Sequence, residues 1–96
     1  MIAGQYIVFT DLHGFGKFAG AAQLTAVERV LDRLLELVGQ VCEEFGGTNR
    51  FNAGDAYCLT FSDPDRAMAA TERLAQEWDL FDRHERLGRS FHYPNR

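Results

Sequence analysis

No apolar run in this sequence approaches the roughly 20 residues that a bilayer-spanning helix requires, and its start lacks a basic segment followed by an apolar core. The expectation is a cytoplasmic domain with no membrane segment. An excess of positive charge is missing as well. The formal net charge is −4, without the basic stripe that a general nucleic-acid-binding surface carries, so nucleic acid is not an expected partner. Cysteine is scarce. Cys42 and Cys58 stand alone, with no CxxC or Cys/His ligand spacing, one in a helical pattern and one in a strand pattern, and they read as reduced core residues. Internal repeats and low-complexity linkers are also lacking.

What is present suits a folded domain. The 96 residues are 46% hydrophobic and 25% charged, which are the proportions of an ordinary globular protein rather than a disordered one. The length fits one domain, residues 1–96. So short a chain buries a modest share of its surface, which leaves room for stabilisation by a partner.

Gln5 to Thr10 is β-branched and aromatic, with an apolar stretch too continuous for a one-sided surface strand, and predicts a buried strand. Asp11-Leu12-His13-Gly14-Phe15-Gly16 interrupts that pattern with polar residues and glycines and reads as a loop. Thr25 and Glu28 have capping-box spacing. Beyond them Val27, Leu31, Leu34, Leu35, Val38, Val41, Cys42 and Phe45 recur every three or four residues, predicting a long helix that Gly46 stops. Thr48–Ala53 and Ala56–Phe61 read as a hairpin joined through Gly54-Asp55. Asp63-Pro64 opens a second helix, whose stripe of Ala67, Ala70, Leu74 and Trp78 carries it from 64 to 78. The charged stretch from Asp82 to Arg86 reads as a solvated helix end or loop, and Arg89–Tyr93 as one further short strand.

The order β-α-β-β-α, with a possible final β, is that of an α+β, ferredoxin-like or palm-type antiparallel sheet with helices on one face. The long helix returns the chain, so the second strand runs parallel to the first and the hairpin tip lies at the end where the first strand exits. Asp11 occupies that exit and Asp55 that tip, which brings together two carboxylates 44 positions apart. Converging carboxylates repel unless a cation lies between them, and Mg²⁺ is commonly held by one or two carboxylates with water and substrate phosphates. Each aspartate also has an ordinary structural reading, Asp55 as a turn residue beside Gly54 and Asp11 as a helix cap.

In order and spacing, Phe9-Thr10-Asp11-Leu12-His13-Gly14-Phe15, Gly46-Gly47, Gly54-Asp55-Ala56 and Phe61 resemble the class III adenylate/guanylate cyclase family, over about residues 5–78. That resemblance implies two Mg²⁺ or Mn²⁺ ions on Asp11 and Asp55, with the Leu12 backbone carbonyl as a further ligand. It implies that the loop containing His13, Gly14 and Phe15 holds a nucleoside triphosphate, that the product is a cyclic nucleotide, and that the domain works as a homodimer or with a cyclase-like partner. The chain departs from the family in two respects. Where it often carries a base-reading lysine, four residues before the second aspartate, this chain has Phe51. The asparagine and arginine that stabilise the family's transition state belong to a more C-terminal part of the domain than this chain includes, and their loss removes several kcal/mol of barrier lowering.

The expected function is thus a nucleotidyl cyclase-like domain, incomplete or weak in this chain. The alternatives are a non-catalytic cyclase-like module for dimerisation or regulation, and another palm-type enzyme related to diguanylate cyclases, which the lack of a GGDEF-like hairpin disfavours. On its own spacing Lys17 is no P-loop lysine, His13 is a surface residue, and His84 and His92 form no metal-ligand cluster.

Overall fold

The computed structural model describes residues 5–85. In chain order its elements are β1 (Tyr6–Thr10), α1 (Phe15–Ala21), α2 (Leu24–Phe45), β2 (Thr48–Ala53), β3 (Ala56–Phe61) and α3 (Pro64–Glu85). The strands form an antiparallel sheet in the order β1-β3-β2, so β1 and β2 run parallel to one another on either side of β3, as the return through the long helix requires. The architecture is α+β. The strand expected over 89–93 lies outside the described residues.

β3 is buried along almost its whole length, and its odd-numbered residues Tyr57, Leu59 and Phe61 join the core with Val30, Leu34, Leu37, Val38 and Val41 of α2 and Ala67, Ala70, Leu74 and Trp78 of α3. The stripe expected on α3 is buried in full. On α2 the stripe is rotated slightly from expectation. Val30 and Leu37 are buried, whereas Leu35 is 53% exposed, because a 3.6-residue period through Val30, Leu34, Val38 and Val41 carries Leu35 past the edge of the buried face.

Several expectations need correction. β1 is not a buried strand. Among the described strands it lies at the edge of the sheet, and of its residues Val8 packs against the core, while Ile7 and Phe9 are 58% and 71% exposed. Continuous apolar character here serves a face that α2 and α3 do not cover. The loop after β1 is shorter than expected, because α1 begins at Phe15. Thr25 is not the cap of α2, which starts at Leu24 after Gln23 without a side-chain cap. α3 continues to Glu85, and Phe81 packs on Trp78 with ring centroids 4.9 Å apart. The Asp63 cap is as expected: its Oδ1 accepts the Asp65 N–H at 2.9 Å and its carbonyl accepts the Ala67 N–H.

The end of α2 fixes where the hairpin begins. Gly46 takes a left-handed conformation, φ 72°, and its N–H donates to the Cys42 carbonyl, to which Gly47 N–H also donates at 2.8 Å. A side chain at Gly47 would overlap the Phe61 ring. The glycine pair therefore has two causes, a left-handed stop at the first and a ring contact at the second. Arg73 of α3 grips Glu44 of α2 through both Nη atoms, at 2.6 and 3.1 Å, and ties the two helices at the surface.

Candidate functional site

Asp11 and Asp55 meet. β1 pairs with β3 from Tyr6 opposite Phe61 to Thr10 opposite Tyr57, which sets the residues after Thr10 beside the hairpin tip. There the Leu12 N–H donates to Asp55 Oδ2 at 3.1 Å. The Leu12 side chain is buried in the core, so this backbone group is held in place by packing on one side and by the carboxylate on the other. Gly54, at φ 60°, supplies the positive φ that a two-residue hairpin loop needs.

The Asp55 carboxyl is pushed above the usual carboxylate range, first by burial and then by a hydrogen bond with the Asp11 carboxyl, against smaller opposing effects of the Leu12 and Asp55 backbone N–H groups. Two carboxyl groups this close share a proton or need a cation. The pair thus fits a hard divalent ion in its donor chemistry, with oxygen ligands only. Among the described residues no group of three or more His, Cys, Asp or Glu side chains is gathered, so a cation here would draw its remaining ligands from backbone, water or substrate. His13 is exposed and joins no such group.

The following loop is tightly bonded. Phe15 N–H donates to the Leu12 carbonyl at 3.3 Å and Phe18 N–H to the Gly14 carbonyl at 3.0 Å. The Phe15 ring packs toward the core beside Phe18.

Among the described residues, no element covers one face of the sheet. In antiparallel pairs, residues directly opposite share a face. Cys58 lies opposite Phe9 on one side and Phe51 on the other, and Thr60 lies opposite Ile7 and Thr48. These residues face away from the helices, since their neighbours Tyr57, Leu59 and Phe61 face the core. Phe51, 62% exposed, reaches this face because the β2–β3 register slips between Asn49 and Phe51. The bulge inserts Arg50, whose Nε donates to Thr60 Oγ1 at 2.8 Å. Alternation along β1 places Asp11 on the side of Ile7 and Phe9. Arg50 carried no motif and was not singled out by its spacing. Only the register slip reveals it, and no glycine or proline marks that slip in the sequence. The two cysteines are free thiols, Cys42 on the helical side and Cys58 beneath the open face.

No family model matches this chain, and no curated protein matches it by sequence. Solved structures do match in fold, and they are class III nucleotidyl cyclase domains. A bacterial light-regulated adenylyl cyclase superposes with a TM-score of 0.78 at 18% identity, over 83% of this chain and 24% of that one. The adenylyl cyclase CyaB from P. aeruginosa does so with a TM-score of 0.79 at 19% identity, over 85% of this chain and 46% of that one. The dimeric guanylyl cyclase domain of the RhoGC fusion protein from the aquatic fungus Blastocladiella emersonii gives 0.65 at 17% identity, over 75% and 46%. The chain has their fold, and it spans less than half the length of each. Among the described residues no helix is long and apolar enough to cross a membrane.

Proposed function

We propose that residues 1–96 are the carboxylate-bearing portion of a class III nucleotidyl cyclase domain, which binds a nucleoside triphosphate with divalent metal through Asp11 and Asp55. The observation that carries this reading is the convergence of the two carboxylates at one end of the sheet, with Leu12 N–H bonded to Asp55, in a fold whose active members use two metal ions. Asp11 and Asp55 would hold Mg²⁺ or Mn²⁺, with the Leu12 carbonyl as a further oxygen donor and the His13-Gly14-Phe15 loop beside the triphosphate. Bound there, two divalent ions supply charge neutralisation at the triphosphate and acidify the attacking hydroxyl. The reaction is attack of the ribose 3′-oxygen on the α-phosphorus. The bond to the β-phosphate bridging oxygen breaks, pyrophosphate leaves with the electron pair, and the hydroxyl proton passes to solvent. Within this chain Asp11 and Asp55 position charge, and Leu12 N–H fixes the orientation of Asp55.

The uncovered sheet face with Ile7 and Phe9 also favours a second reading, a cyclase-like module that pairs with a second copy or a related domain without turnover. Calorimetry with Mn²⁺ and nucleoside triphosphate separates the two. Metal-dependent binding by the wild type, reduced at least about a hundredfold in both Asp11→Ala and Asp55→Ala, is the expected result. Equal binding in all three proteins, or none in any, excludes the metal reading and leaves the module.

A further inference from the structure

β2 has little of its own to fix its register. All six of its residues are exposed, all but Phe51 are polar or small, and among the described strands β3 alone pairs with it. A strand without a buried face specifies its pairing weakly. β2 also carries a surplus. Its six residues, Thr48–Ala53, lie opposite five of β3, Ala56–Thr60, and its two ends are anchored separately. At one end Gly46 and Gly47 close α2 against Phe61, and at the other the Asp55 carboxyl accepts the Leu12 N–H. One residue has to leave the ladder between these anchors, and it is Arg50.

Two slips compete with that bulge. If the join with α2 moved and the tip stayed, Arg50 would come to lie opposite Leu59, which is fully buried against the helices, and a charge would be drawn out of water. If the tip moved and the join stayed, Phe51 would lie opposite Tyr57 and the loop would lengthen to Ala53-Gly54-Asp55, taking Asp55 from its place beside Leu12. This second slip buries no charge, since Arg50 would then lie opposite Cys58 on the open face. Besides the Asp55–Leu12 bond itself, what opposes it is the bond from Arg50 Nε to Thr60 Oγ1 at 2.8 Å, made on a residue 2% exposed. We infer that Arg50 is a positioning residue for the proposed metal site: it pins the surplus residue of β2 as a bulge, three pairs from the hairpin tip, and so holds Asp55 beside Asp11. It acts through strand register and not through contact with an ion. The metal part of this inference rests on the proposed reading of the two aspartates, whereas the register can be read without metal.

The test is NMR of the full chain in chelator, which reads cross-strand pairing and exchange of the Leu12 amide, together with calorimetry using Mn²⁺ alone. Thr60→Val removes the acceptor and leaves the Arg50 charge. It is expected to shift Phe51 from opposite Cys58 to opposite Tyr57, to speed Leu12 amide exchange at least about tenfold, and to weaken Mn²⁺ binding about tenfold, the lower end of what loss of an orienting partner costs. Arg50→Ala should do the same, and it serves if circular dichroism shows Thr60→Val to be unfolded. Arg50→Gln keeps an N–H donor as many bonds from the backbone as Nε and should restore all three readouts. Deletion of Arg50 removes the surplus itself and lets the remaining residues pair regularly, so Mn²⁺ affinity should stay within about threefold of wild type. Wild-type pairing in both Thr60→Val and Arg50→Ala overturns the inference. So does a slip that leaves Mn²⁺ affinity unchanged, or a deletion as damaging as the substitutions. If the wild type binds no Mn²⁺ while pairing and Leu12 exchange shift as expected, Arg50 still holds Asp55 in place and the metal reading alone falls.

Discussion

Asp55 holds a conflict that the rest of the molecule maintains. Its carboxyl is drawn out of water and faces Asp11, and both effects raise its pKa, while Leu12 N–H favours its ionised form. A carboxyl whose pKa is higher in the folded than in the unfolded chain stabilises the fold below the unfolded value, and that contribution disappears as pH rises through the folded value. The metal-free protein therefore loses stability from this group as pH rises from the ordinary carboxylate range through the raised folded value. Asp55→Asn removes the repulsion and keeps an oxygen to accept the Leu12 N–H. In chelator at pH 7 the variant is expected to melt a few degrees above wild type, and the two should converge near pH 3.5. The measurement is the difference between their melting temperatures across pH. A variant that is less stable at pH 7, or a difference independent of pH, would show that the two carboxyl groups do not repel in the free protein. Because the site is partly exposed, the effect is expected to be small compared with burial of a core side chain.

At the scale of elements, the join between α2 and β2 sets the geometry of the hairpin. Gly47→Ala places a methyl group against Phe61, which is 1% exposed and has no room to withdraw. Overpacking of this kind costs about 1–3 kcal/mol, a fall of roughly 4–20 °C in melting temperature for a domain of this size. An unchanged melting temperature would show that the ring adjusts freely. The same join shows what can be read before the fold is known. Gly46 was legible as a helix stop, since a residue past a long apolar stripe with no side chain has few other uses. The reason for Gly47 was not, because it lies in a contact with Phe61, in another element. The apolar period gave α2 and α3 their place, and the aspartates were found from chain direction. α1 was missed because seven residues with two glycines show no period. The last turns of α3 were left open between helix end and loop because Asp79, Asp82 and Arg83 hide the single stripe residue Phe81. The bulge at Arg50 was invisible for a stricter reason: pairing register is a property of two strands, and one strand's sequence carries no sign of a slip unless a glycine or proline marks it.

At the scale of the whole molecule, the carboxylate pair links the first strand to the centre of the chain. Asp11 ends β1 and Asp55 turns the hairpin, and the described core from Leu12 to Trp78 is packed between them and the helices. A ligand that requires both carboxylates requires β1, β3 and the join after α2 to be formed together, so it binds the folded chain and not the unfolded one. Mass action then sets the size of the effect. Free metal at a hundred times its dissociation constant stabilises such a fold by about 2.7 kcal/mol, or roughly 10–20 °C in melting temperature for a domain of this size. Mn²⁺ should therefore raise the wild-type melting temperature by an amount that grows with the logarithm of its concentration, with no change in the denaturant slope, since the surface exposed on unfolding is the same. Asp55→Asn, already more stable without metal, should gain little. At saturating metal the order of the two proteins is thus expected to reverse. A rise of equal size in both would place the cation elsewhere on this acidic chain, whereas a reversal requires that the group which destabilises the free fold is the group that binds.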